Sequence, residues 1–243
     1  METYQKDGIT LIHSDCIDYM RSLPDKSVDL VLTDPPYEME IHGGTGYNDF
    51  STRKLVCDKH IAGICNGFDY ERVFNEFLRL CRIPNILIFC SNNQVGKIMG
   101  WFEHRDLAAT LLVWNKTNPI PLCYNKYLSD VEFVVYVHGK GATFNNDSPY
   151  DFKRKVYTSN VVGSKGRIHP TEKPVKYLMQ LIELHSAKGD CVLDPFGGSF
   201  STCVAAMNLG RRFIGIEIDK TYYNAAVKRV KAVAAQPRLE LYT

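Results

Sequence analysis

Short apolar runs separated by segments of helical period constrain this chain more than any other feature. Ile9–His13, Val28–Thr33, Ile86–Cys90, Cys191–Leu193 and Phe213–Ile218 read as strands, with Ala108–Trp114 and Val131–Val137 as two more. Tyr70–Cys81 has apolar residues at 70, 73, 74, 77, 78 and 81, and Pro174–Ser186 sets Val175, Leu178, Met179 and Ile182 on one face. That spacing is the period of an amphipathic helix. Cys16–Leu23, Val95–Phe102, Ser201–Leu209 and Lys220–Ala235 read as further helices. Strands alternating with helices build a doubly wound, mostly parallel α/β sheet. The chain has 243 residues, 45% of them hydrophobic, which suits one such domain over residues 1–243. Two stretches rich in glycine and polar residues interrupt the pattern, 38–67 and 139–168. Irregular stretches of this length in a compact domain are usually binding elements.

Charge and cysteine usage narrow the class. A net charge of +2 admits a polyanionic partner only through a local patch. The 139–168 stretch holds such a patch: Lys140, Lys153, Arg154, Lys155, Lys165 and Arg167 stand against Asp147 and Asp151. No apolar run approaches the ~20 residues of a membrane span, and Met1–Ile9 lacks the apolar core of a signal peptide. The eight cysteines are scattered without a Cys-x-x-Cys pair, so a reduced, cytoplasmic protein is expected. Cys57, His60 and Cys65 match no standard zinc spacing and lack a fourth ligand, so no metal site is expected.

The residues after the second apolar run carry chemistry. Thr33-Asp34-Pro35-Pro36-Tyr37 ends a strand on a carboxylate, two prolines and an aromatic ring. In open parallel sheets, ligands bind at the carboxyl ends of strands. Two prolines remove two backbone donors, so Asp34 and the nearby carbonyls are acceptors with few local donors to compete. An acceptor cluster beside a stacking ring suits a planar group bearing an amine. Taken alone, Asp-Pro-Pro is also an ordinary turn.

A second constellation lies near the end of the chain. Asp194-Pro195-Phe196-Gly197-Gly198-Ser199 joins a strand to the helix Ser201–Leu209, and the next strand ends at Glu217-Ile218-Asp219. Glycines at a strand-to-helix turn allow close approach to the backbone, and an acid ending the following strand is well placed for ribose hydroxyls. Gly-x-Gly-x-x-Gly and the phosphate-loop Gly-Lys-Ser/Thr are absent, which argues against a dinucleotide or triphosphate site. His169-Pro170-Thr171-Glu172-Lys173-Pro174 precedes an amphipathic helix; by itself it reads as a polar helix start.

Together these three motifs resemble those of the DNA amino-methyltransferases, which use S-adenosylmethionine to methylate an exocyclic amine. The catalytic motif comes first and the cofactor motif late, which resembles the β, or circularly permuted, group. The resemblance implies a seven-stranded sheet of the class I S-adenosylmethionine methyltransferase type. It implies catalytic roles for Asp34, Pro35, Pro36 and Tyr37. It implies cofactor contacts from Asp15, Cys16, Asp34, Thr171, Lys173, Asp194, Pro195, Phe196, Gly197, Gly198, Ser199, Glu217 and Ile218. It also implies duplex DNA as the partner. The charge of 139–168 makes its basic residues the candidates for DNA-backbone contacts, and a homodimer is a further candidate partner that the sequence does not show. Asp-Pro-Pro-Tyr is the variant typical of adenine-N6 enzymes, whereas cytosine-N4 enzymes typically carry Ser-Pro-Pro-Tyr. N4-cytosine or RNA amine methylation is the alternative, and a catalytically silent cofactor- or DNA-binding subunit is another. One departure stands out: the family's Gly-Ser-Gly is Gly198-Ser199-Phe200 here. The Phe200 ring has two directions open to it, toward the cofactor or into the core. The sequence names neither a recognition site nor a restriction partner.

Overall fold

In the computed structural model the apolar runs are strands, and those at the centre of the sheet, Leu30–Thr33, Asn85–Cys90 and Cys191–Asp194, are buried on both faces. The structure describes residues 1–36, 69–119, 121, 127–163, 168–169 and 171–235. The expectations for 38–67, Tyr37, Cys57, His60, Cys65, Lys165 and Arg167 lie outside the described residues. In chain order the elements are β1 (Glu2–Lys6), β2 (Ile9–His13), α1 (Cys16–Ser22), β3 (Leu30–Thr33), α2 (Tyr70–Leu80), β4 (Asn85–Cys90), α3 (Asn92–Glu103), β5 (Ala108–Lys116) and β6 (Val131–His138). A 3₁₀ turn (Tyr150–Lys153), β7 (Val156–Ser159), α4 (Val175–His185), β8 (Cys191–Asp194), α5 (Ser201–Asn208), β9 (Arg212–Glu217) and α6 (Lys220–Ala234) follow.

The strands form one sheet in the order β1-β2-β9-β8-β3-β4-β6-β5-β7. Five of its eight pairings are parallel. Alternation along each strand feeds two cores. Ile12, Val31, Ile86 and Ile88 pack with Met20 of α1, Phe74 and Phe77 of α2, and Ile98 and Phe102 of α3. Leu11, Leu30, Leu32 and Leu87 pack on the other side with Leu178 and Leu181 of α4, Ala205 of α5 and Ala226 of α6. The doubly wound expectation holds, with three of the described helices on each face.

The sheet has nine strands among the described residues, not seven. The two extra strands, β1 and β7, lie at its edges, where one side is solvent and apolar periodicity is weak. β1 is mostly exposed and folds back on β2 through Asp7-Gly8, both at positive φ (50° and 80°). That two-residue turn matches the twist of a hairpin, and Asp-Gly is its sequence signal. β7 runs parallel to β5 from Val113↔Val156 to Lys116↔Ser159, inside a stretch that reads as irregular from sequence.

The topology positions the site. From β3 the chain passes through α2 to β4 on one side, and from β8 it passes through α5 to β9 on the other. β3 and β8 are parallel neighbours, so their carboxyl ends open into the crevice where the winding reverses, the place where such sheets bind ligands.

Candidate active site

Thr33 and Asp194 end the two strands of that crevice, and their side chains are tied together. The Thr33 hydroxyl donates to Asp194 Oδ1 at 2.8 Å, and the Phe196 amide donates to the same oxygen at 3.2 Å. Asp194 is buried. Burial pushes its carboxyl up to about 6, against hydrogen bonds from Thr202, Thr33 and Phe196, and the nearby Asp34 charge adds to the rise. Asp194 is thus the strut under both turns, holding Thr33-Asp34-Pro35 beside Pro195-Phe196-Gly197.

Asp34 is met by a cation from a distant segment. Lys173 Nζ donates to Asp34 Oδ2 at 2.5 Å and lies 3.1 Å from Glu132 Oε2, and Glu132 Oε1 lies 2.7 Å from Lys116 Nζ. The Lys173 side chain is only 5% exposed, so water screens these charges little. Burial alone would lower the Lys173 ammonium, but Asp34 and then Glu132 raise it above its ordinary value. Burial would raise Glu132, yet Lys173 and Lys116 hold it at about 2. Cys90, at the end of β4, is pushed up to about 12 by burial and then by Asp34 and Glu132. The Cys90 thiol is therefore neutral and no nucleophile.

The glycine turn is shaped by hydrogen bonds to Glu217. Gly198 N–H donates to Glu217 Oε2 and Asp219 N–H to Glu217 Oε1, both at 2.7 Å. Gly198 has φ 50°, in the left-handed region that favours glycine. Ser199 is buried with its hydroxyl 2.9 Å from that of Ser201. The 168–173 segment is pinned over this turn: Arg229 of α6 pairs with Glu172 at 2.8 Å and donates to the Ser199 carbonyl at 3.3 Å. The His169 ring packs edge-on against Tyr222, and its Nδ1 lies 3.0 Å from the Thr171 hydroxyl. Asp15 caps α1, accepting from Ile17 N–H at 2.8 Å and Asp18 N–H at 3.1 Å. It adjoins Glu217 because Ser14 N–H donates to the Glu217 carbonyl.

A family model described as DNA methylase, covering the N6 and N4 enzymes, matches residues 28–228. The chain belongs to the N6/N4 DNA methylase family. The type II methyltransferase M2.DpnII of Streptococcus pneumoniae is 30% identical over 94% of this chain and 92% of its own length. The M1.HpyAVI–SAM complex superposes with TM-score 0.68 at 27% identity, covering 91% of this chain and 99% of its own. The cytosine-N4-specific PvuII DNA methyltransferase shares the fold at TM-score 0.71 and 14% identity, over 96% of this chain and 95% of its own.

In this DNA methylase the crevice brings together Asp34, Pro35, Pro36, Asp194–Ser199 and Lys173, with Glu217, Ile218, Asp15 and Cys16 along the same sheet end. Lys173, grouped with the cofactor on resemblance, has its ammonium on Asp34. Phe200 points into the core with no exposure. Its ring fills the space over Gly197, where a Cβ would come within 1.8 Å of Phe200 Cε1. Lys140, Lys153, Arg154 and Lys155 line a separate cavity of about 500 Å³, with Tyr136 and Tyr177. Lys153 donates to the Asn146 carbonyl and Arg154 pairs with Asp151. Glu132, Lys116 and Arg229 were not singled out as site residues from sequence. Trp114-Asn115-Lys116 and Asp130-Val131-Glu132-Phe133 resemble family strands in sequence, and Glu132 and Lys116 meet because β5 and β6 pair Trp114 with Glu132.

Proposed function

We propose that this DNA methylase transfers the methyl group of S-adenosylmethionine to the N6 amine of an adenine flipped out of duplex DNA. The observation that carries the reading is the Thr33–Asp194 tie, 2.8 Å long, which keeps an acceptor turn and a glycine turn side by side in one crevice. The residues present fit the cofactor. Ile218 is half exposed beside the turn and offers an apolar face to a purine, and the Glu217 carboxylate has lone pairs for ribose hydroxyls. The start of α5 offers free N–H groups to a carboxylate. Asp15, Thr171 and Phe196 complete the ring of candidate contacts.

S-Adenosylmethionine supplies an electrophilic methyl on a sulfonium. Asp34 and the Pro35 carbonyl accept hydrogen bonds from the target amine, which localises a lone pair otherwise delocalised into the ring. Positioning and electrostatic stabilisation then lower the barrier without a covalent intermediate. Tyr37 stacks on the flipped base, worth roughly 1–3 kcal/mol. Lys140, Lys153, Arg154 and Lys155, with Lys165 and Arg167, contact the DNA backbone. An N4-cytosine-specific enzyme has the same fold, so the choice of adenine rests on Asp34-Pro35-Pro36-Tyr37.

Tritiated methyl transfer to unmethylated duplex DNA, with the modified nucleoside identified by mass, tests the reading. N6-methyladenine is expected; N4-methylcytosine would move the substrate to the other base. No transfer by a protein that binds the cofactor would make it a silent subunit. Asp34→Ala should cost at least about 10²-fold in turnover while cofactor binding persists. Neutralising Lys153, Arg154 and Lys155 together should flatten the salt dependence of DNA binding, by about one unit of slope for each lost phosphate contact.

A further inference from the structure

The charges behind Asp34 form an alternating chain around the buried Lys173. Asp34, Lys173, Glu132 and Lys116 follow one another at 2.5, 3.1 and 2.7 Å. They come from the β3 turn, the segment before α4, the start of β6 and the end of β5. Lys173 is buried and the other three are partly exposed, and withdrawing charges from water in this way is costly unless they are paired.

We propose that Lys173, anchored by Glu132 and through it by Lys116, is a positioning residue that keeps Asp34 ionised and fixes its orientation for the target amine. This rests on the methyl-transfer reading above. The groups around Asp34 show why a cation is required there. Glu132 approaches from β6, Asp194 from β8, and the neutral Cys90 thiol from β4. Without Lys173, Asp34 would share a half-buried pocket with two other carboxyl groups. Like charges and desolvation both favour the protonated acid. A protonated Asp34 presents a hydroxyl and a weaker acceptor, and the amine loses the charge that localises its lone pair. Glu132 has a distinct part. It holds the ammonium from the far side, so that Lys173 does not swing away when a substrate amine competes for Asp34.

Two measurements test this. In the ligand-free protein, the Asp34 carboxyl carbon is followed by NMR through a pH titration and assigned with Asp34→Asn. The resonance should titrate at least one pH unit higher in Lys173→Gln than in the parent, and Lys173→Arg should restore most of the difference. In the parent, the Lys173 ammonium signal should move in Asp34→Asn, which needs no Lys173 variant to fold. In kinetics, Lys173→Gln should raise the acid limb of kcat/KM by at least one unit, a tenfold loss on its acid side. Cofactor Kd should stay within about twofold. An unmoved Asp34 titration, or an unmoved Lys173 signal in Asp34→Asn, overturns the proposal. So does an unchanged acid limb with cofactor affinity weakened tenfold, which would make Lys173 a cofactor ligand. The NMR readouts use neither DNA nor methyl transfer. A parent that methylates no DNA yet titrates as expected would sink the functional reading, and with it the role toward a target amine, while the coupling of Lys173 to Asp34 would stand.

Discussion

Phe200 combines a backbone that suits glycine with a side chain that suits the core. Its φ is 51°, a left-handed conformation costing a bulky residue on the order of 1–3 kcal/mol. Its ring is fully buried and packs over Gly197 and Gly215, where a Cβ would meet Phe200 Cε1 at 1.8 and 2.6 Å. Burying a phenyl ring contributes roughly 1.5–3 kcal/mol, so the ring offsets the strain. The two effects separate by mutation. Phe200→Ala should destabilise by about 3–5 kcal/mol, since it opens a cavity and keeps the strained φ. Phe200→Gly opens a similar cavity but relieves the strain, and should be the more stable of the two by ~1 kcal/mol. Urea unfolding of both variants checks the order; the reverse would mean that the strain is not there.

At the scale of elements, the site depends on how β3 and β8 are joined beyond their ladder. The ladder pairs Leu30 with Val192 and Val31 with Leu193; past it, the Thr33 hydroxyl on Asp194 holds the two turns. Thr33→Val keeps the shape and removes the donor from a buried carboxyl group. Stability should fall by roughly 1–3 kcal/mol, read as a lower urea midpoint at unchanged slope. The helices around the crevice start where their sequences provide caps. Asp15 and Asp219 accept from the first turns of α1 and α6, and Ser91 with Gln94 forms a capping box on α3. These caps fix where each helix begins, and so where Cys16 and Ile218 sit at the sheet end.

For the whole molecule, two buried groups act on acid stability in opposite senses. Asp194 titrates near 6 when folded, against an ordinary 3.8, because of burial. Between these values the folded state holds a proton that the unfolded state has released, so stability falls as pH rises through the window. His185, at the end of α4, is held down to about 4 by burial, against an ordinary 6.5. There the unfolded state takes the proton first, so stability is lost as pH falls from 6.5 to 4. The two slopes oppose one another in the parent, where burial of Glu217 raises its carboxyl and adds to the Asp194 sense. Asp194→Asn should expose the histidine slope, with stability dropping on acidification by on the order of 3 kcal/mol. His185→Gln should expose the opposite slope. Urea midpoints from pH 4 to 7 measure both; two variants with the parent's pH dependence would refute the assignment.

Periodicity in the sequence was enough for the doubly wound class, for seven of the nine strands and for the six described helices, because those signals lie within a few residues of one another. The edge strands escaped it, since β1 and β7 each lack a buried face to impose a pattern, although Asp7-Gly8 carried a hairpin signal. The motif residues at positions 33–36, 194–199 and 217–218 were legible as turns at strand ends, and the fold gathers them at one sheet end. Only the tertiary structure decided what Asp34 meets. Lys173 lies 139 residues from it, and Glu132 and Lys116 reach the site through the register of β5 on β6. Such contacts depend on long-range strand pairing and on low-dielectric burial, and neither is written in any short stretch of the chain. The direction of Phe200 was decided in the same way, by the space that Gly197 and Gly215 leave beneath the turn.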